Sequence, residues 1–220
     1  SGSNDPFAYM LTAVLLTAME SGITPGAVAR LLGAQLVFGL AFGFGVGWAA
    51  LWLLRRLRLD GSGFETIFVV ATALFSYAAP AMLGGNGLLS VYITGILLGD
   101  GRLRSTATLV SFFDGVTGIM QMVLFFLLGL LAFPSQMPAV VLPAVGIMLF
   151  LTFAARPAAV FLLLAPFRGS RRQKLLVSFA GLRGAASIVF AVMTVISPVS
   201  TDHDLFHIVF LIVLFSISLQ

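Results

Sequence analysis

Residues 38–58 read FGLAFGFGVGWAALWLLRRLR, a run of seventeen positions without a charge that ends in three arginines within four residues. The apolar run extends back to Ala27, longer than the roughly 20 residues a helix needs to cross a bilayer. Lipid offers no partner for backbone N–H and C=O groups, so only a helix or a closed barrel can span it. No alternation of apolar and polar residues over about ten positions recurs anywhere in the chain, which removes the barrel. The glycines and alanines of this run let neighbouring helix backbones approach closely, a packing role rather than a chemical one. The arginines that close it mark a membrane face.

The rest of the chain agrees. Of 220 residues 60% are hydrophobic and 9% charged, with a mean hydropathy of +1.10, outside the range of soluble domains. Polar breaks divide the sequence into eight apolar segments, residues 6–19, 27–54, 64–83, 88–99, 109–133, 140–167, 175–196 and 205–219. The expected fold is therefore an all-α polytopic membrane protein of about eight transmembrane segments. The fourth, LLSVYITGILLG, follows LGGNG and is short enough to be a tilted or partial helix.

The basic residues test this partition independently. One set of alternate loops holds Arg55, Arg56 and Arg58, then Arg102 and Arg104, then Arg168, Arg171, Arg172 and Lys174, nine of the twelve. The opposite set has Arg30, together with Glu20, Asp202 and Asp204. The positive-inside rule puts the nine in the cytoplasm. A nucleic-acid-binding surface explains neither the alternation nor the spans, although the net charge is +4. The chain opens without Met and stops at Gln220, short of a full final span, and is expected to be an internal piece of a longer protein.

Several chemistries find no residues. With no Cys there is neither a disulfide framework nor a thiolate metal site. Ser178 and Ser187 do not form a triad with the distant His203, and no phosphate loop or metal cluster is present. Neither an enzyme nor a cofactor is expected.

The charges left inside the spans carry most of the information. They are Asp5, Arg156 and Arg183, with Asp114 and Glu65 nearer a cytoplasmic edge. A charge near the bilayer centre costs at least about 2.5 kcal/mol unless it faces protein, water or a partner. Asp5 precedes a segment of about 21 Å, shorter than the apolar core, and so falls within the membrane. It can be an N-cap with Pro6 at the first helical position, as Asn4 or Ser3 can, or a functional carboxylate. Arg156 lies about 18 Å of helical rise from Arg168, too deep to snorkel, and therefore needs a partner. That pairing can be a structural ion pair, and Pro157 beside it can bend the helix. Arg183 stands between Gly181 and Gly184. This pattern fits a helix interrupted within the membrane, or close packing with Arg183 reaching for the cytoplasmic face. Two deep arginines against one deep carboxylate also call for a further acid outside this chain.

Three stretches, SGSNDP ahead of an apolar helix, ARPAAVFLLLAPF and SFAGLRGAASIVFA, in this order, resemble the bacterial cation:proton antiporters related to the sodium/proton exchangers. The potassium/proton branch associated with cell-volume regulation is the nearest likeness, and FFDGVTGIMQMVLFFLLGLLAFPS and DLFHIVFLIVLFSISLQ share it. The resemblance implies that Asp5 alternately binds cation and proton. It makes Asn4 the neutral partner that marks electroneutral exchangers and Ser1 a hydroxyl near the ion. Arg156 matches the family's buried arginine, paired with a Glu immediately ahead of Ser1. The stretch with Gly181, Arg183 and Gly184 matches one of two broken helices crossing near the ion site. Ser187 departs from the Pro that many relatives carry there.

The implied mechanism is electroneutral exchange of K⁺ or Na⁺ for H⁺ by alternating access, in a bacterial cytoplasmic membrane. Burial disfavours a charged carboxylate while a cation or arginine favours it, so proton and metal ion compete for one group. The implied organisation is an inverted repeat. Residues 1–19 would close the first repeat and carry the ion site, and 20–63 a linker helix and cytoplasmic loop. Residues 64–137 would be helices on the dimerisation side and 138–220 core helices of the second repeat. A homodimer is implied for the full-length protein, and nucleic acid is not a partner. A cation channel or a non-transporting scaffold would use the same charges differently.

Overall fold

The computed structural model describes residues 4–22, 24–56, 62–101, 106–165, 170–179, 186–197 and 205–219. The described residues are helical apart from short turns. The helices are α1 (Asn4–Ser21), α2 (Pro25–Arg56), α3 (Ser62–Met82), α4 (Gly87–Asp100), α5 (Thr106–Leu131), α6 (Met137–Phe150), α7 (Arg156–Leu163), α8 (Arg171–Phe179), α9 (Ala186–Ile196) and α10 (Leu205–Leu219). A π-helical turn, Leu151–Ala155, joins α6 to α7. Four of these stretches are long and apolar enough to cross a membrane: Pro25–Arg56, Gly63–Met82, Thr106–Leu131 and Met137–Leu163. The chain forms two compact units, residues 1–120 and 121–220.

In the first unit α2 packs chiefly on α4, and both pack on α3. The reason lies in the opening stretch. Gly39, Gly43 and Gly47, one turn apart, are the buried face of α2. A Cβ on Gly43 would sit 2.9 Å from the Ser90 carbonyl oxygen, and one on Gly39 3.0 Å from that of Asn86. The missing side chains let the two backbones meet, as the sequence predicts. Against them α3 and α4 contribute hydroxyls. Ser76 Oγ lies 2.8 Å from both Ser90 Oγ and Thr94 Oγ1, and Thr94 donates to the Gly43 carbonyl at 3.1 Å. The large side chains point outward, Trp48 being 70% exposed while Ser76 is fully buried. That inversion of the soluble-protein pattern is what lipid as solvent selects.

The second unit has a small core in which α6 packs on α10 through Ala144, Met148, Leu211 and Ile212. A second cluster joins Leu128 of α5 to Ala191, Phe206 and Val213. His207, 4% exposed, accepts a hydrogen bond on Nε2 from the Phe133 backbone N–H at 2.9 Å. Helix α8, which carries Arg171, Arg172 and Lys174, opens with a reciprocal cap: Gln173 N–H donates to Ser170 Oγ at 3.2 Å and Ser170 N–H to Gln173 Oε1 at 3.1 Å. Lys174 donates to the Leu164 carbonyl at 2.7 Å, closing the end of α7. The seventh apolar stretch is described as two helices, α8 and α9, and residues 180–185 between them lie outside the described residues.

Candidate ion site

Asp5 stands in the first turn of α1, half-buried, with Asn4 exposed beside it. The helix includes both residues, so Asp5 is its second position rather than the residue before it. Pro6 then follows within the first turn, where an absent N–H costs nothing. An acid at this end of a helix also complements the macrodipole. Asp5 opens onto a groove of about 510 Å³, lined by Val70, Ala73 and Tyr77 of α3, Leu88 and Val91 of α4 and Phe113 of α5 among others. The wall is almost wholly apolar, with two tyrosines, Tyr77 and Tyr92. A second hollow of about 380 Å³ shares Ala73, Val91 and Phe113 with the first and reaches Thr94, Thr106 and Asp114. Asp114 is therefore lodged beside a hollow on α5, exposed, near the cytoplasmic end the sequence assigns to it.

Sequence reasoning missed the residue that ties α1, α2 and α4 together next to Asp5. Asn86, 1% exposed, donates from Nδ2 to the Pro6 carbonyl at 2.8 Å and accepts on Oδ1 from Leu89 N–H at 3.0 Å. Its backbone N–H donates to the Gln35 carbonyl at 3.2 Å. It is the N-cap of α4 and a tie to α1 and α2 at once. The turn that delivers it is local. Gly84 takes φ +76°, Gly85 N–H donates to the Pro80 carbonyl at 2.7 Å and Gly84 N–H to that of Ala81 at 3.2 Å, a Schellman ending for α3. The signal was in view in LGGNG, a left-handed glycine followed by an Asn just before a helix. Close by, Gln35 Oε1 is buried and has no hydrogen-bond partner among the described residues.

Arg156 opens α7, partly buried, immediately after the π-helical turn. The Arg156 backbone N–H donates to the Leu151 carbonyl, five residues back. Pro157 supplies the cause, since it has no N–H for the Phe153 carbonyl and its ring crowds that carbonyl, so the ladder slips by one residue. The bend expected at Pro157 thus takes the form of a π-turn, a feature frequent at functional sites. Ser1, Gly181, Arg183 and Gly184 lie outside the described residues. Among the described residues no group of three His, Asp or Glu side chains could hold a resident metal ion.

Comparison with known proteins adds what geometry cannot. The K(+)/H(+) antiporter NhaP of Alkalimonas amylolytica is 37% identical over 221 residues, covering all of this chain and 38% of that protein. The K(+)/H(+) antiporter NhaP2 of Shewanella sp. (strain ANA-3) is 35% identical over 224 residues, covering all of this chain and 39% of that protein. The Na(+)/H(+) antiporter NhaS2 of Synechocystis sp. is more distant, 26% identical over 164 residues, which cover 70% of this chain and 30% of that protein. The chain spans about two fifths of the length of the first two relatives. No solved structure matches. The family model described as sodium/hydrogen exchanger, transmembrane, matches residues 1–220, so the chain belongs to the sodium/hydrogen exchanger family of membrane proteins.

Proposed function

We propose that this chain is part of an electroneutral exchanger of K⁺ or Na⁺ for H⁺, with Asp5 as the carboxylate that alternately holds the cation and the proton. The observation that carries the reading is a half-buried acid at the start of an apolar helix, opening onto a groove with an otherwise apolar wall. Proton and cation would compete for this one carboxylate, which holds one of them at a time. Asn4 cannot titrate, so one positive charge crosses in each direction.

Ser1 and backbone carbonyls would complete the oxygen ligands, and Arg156 would pair with an acid ahead of Ser1. Arg183 and its flanking Gly181 and Gly184 would form the interrupted helix near the site. Residues 1–19 and 138–220 would then move against 64–137 on the dimer side, linked by 20–63, in a homodimer of the bacterial inner membrane. The named K(+)/H(+) relatives favour K⁺ as the cargo.

The test is exchange by the full-length parent in proteoliposomes loaded with a pH dye. K⁺, Na⁺ and Li⁺ pulses should each be compared for the native and Asp5→Asn forms. Native vesicles should alkalinise on a cation pulse without a membrane current, and Asp5→Asn should not respond. Retained exchange in Asp5→Asn would sink this reading.

A further inference from the structure

We propose that Asn86 is a positioning residue for the ion site, acting on Asp5 through the Pro6 carbonyl; the proposal rests on Asp5 being the exchanging carboxylate. A helix N-cap needs only a side-chain oxygen, and Ser, Thr or Asp would cap α4 as Asn does. Asn86 uses that oxygen on Leu89 N–H and has an amide nitrogen left over, which it spends on Pro6. A carboxamide caps α4 with its oxygen while its nitrogen, a separate atom, donates to a carbonyl on another helix. The second bond is therefore not explained by the needs of α4.

It is explained by those of Asp5. The first turn of a helix is where fraying begins. The Pro6 carbonyl belongs to the peptide unit that Pro6 shares with Phe7, and the proline ring fixes φ between that unit and the one shared with Asp5, so holding the first limits where the Asp5 side chain leaves the helix. Asn86 in turn is held by its backbone N–H on the Gln35 carbonyl and packed beneath Gly39. The carboxylate is thus referenced to the glycine face of α2 and to the first turn of α4, which supplies Leu88 and Val91 to its groove. A binding site has to hold its ligand groups within about 0.5 Å of the productive geometry, so a latch of this kind bears on cation affinity.

Two variants of the full-length parent separate this role from capping. Asn86→Ser keeps the cap on α4 but is too short to reach Pro6. Asn86→Asp keeps the cap and sets an acceptor against the Pro6 carbonyl. Both are to be reconstituted, with amount and melting temperature recorded, and read for cation half-saturation, maximal rate and the pH profile of exchange. The expected result for Asn86→Ser is half-saturation weakened by roughly fivefold and a displaced pH profile, with the maximal rate within about twofold of native. Asn86→Asp should move both further. Native half-saturation and pH profile in a folded Asn86→Ser protein overturn the proposal, as does a loss of maximal rate alone. If neither variant folds, Asn86 is a residue of the fold and the proposal is likewise overturned. Asp5→Asn, run in parallel, tells the two failures apart. Continued exchange by Asp5→Asn defeats the reading of Asp5, whereas its silence beside an unaltered Asn86→Ser defeats only the role of Asn86.

Discussion

Ser76 bridges two other hydroxyls, Ser90 and Thr94, at 2.8 Å each, and none of the three is exposed to any useful extent. Interhelical hydrogen bonds in membranes average about 0.6 kcal/mol and reach about 1.7. Ser76→Ala removes two at once and should lower stability by about 1 kcal/mol, read as a lower melting temperature of the purified protein in detergent. In the second unit His207 is the acceptor for Phe133 N–H. His207→Leu leaves that donor without its acceptor, at a cost of about 1–3 kcal/mol, whereas His207→Gln still offers an oxygen. Equal melting temperatures for the two variants would show that the bond contributes nothing. Composition flagged neither group, because an isolated Ser or His in an apolar run does not name its partner.

The glycine face of α2 gives a contrast within one helix. Gly43 faces the Ser90 carbonyl and Ile93, while Gly45, two residues on, has nothing within 4 Å of an added Cβ. Gly43→Ala should therefore destabilise by about 1–3 kcal/mol through overpacking. Gly45→Ala should be neutral or stabilise by up to about 1 kcal/mol through helix propensity. Opposite shifts in melting temperature are the expected outcome, and a fall of the same size in both would mean that close approach is not what the glycines supply. The joint between α6 and α7 is a second element-level feature. Pro157→Ala restores the missing N–H and lets the π-turn revert to an α-helix, which turns Arg156 relative to α6. On the function proposed above, exchange by the full-length Pro157→Ala protein should fall with little loss of stability. The proline was legible beforehand; the slip of the ladder upstream of it was not, since it depends on how a whole turn re-pairs.

At the scale of the molecule, α2 runs from Pro25, just after Thr24, to Arg56, and α3 starts at Ser62. The charge asymmetry puts these two ends of α2 on opposite faces of the membrane. Residues 1–220 hold no Cys, so Thr24→Cys and Gly63→Cys can be placed singly in a parent from which any cysteine outside this stretch has been replaced. An impermeant maleimide should label Thr24→Cys in intact cells and Gly63→Cys only in inverted vesicles. Labelling of both from one face would overturn the topology. The long apolar runs, the arginines that end them and the GLAFGFGVG face could be read directly, because lipid imposes its demands on each segment separately and a lone span must satisfy its own backbone. The order of the helices, the expectation that Asp5 and Arg156 lie deep, and the family motifs followed from the same one-dimensional pattern. Tertiary structure alone decided that Asn86 closes on Pro6 eighty residues away, that Ser76 meets Ser90 and Thr94, and that Asp5 faces α3 and α4. Those are pairings between helices, and between helices of similar hydropathy the choice of neighbour rests on shape and on a few buried polar groups rather than on any local pattern.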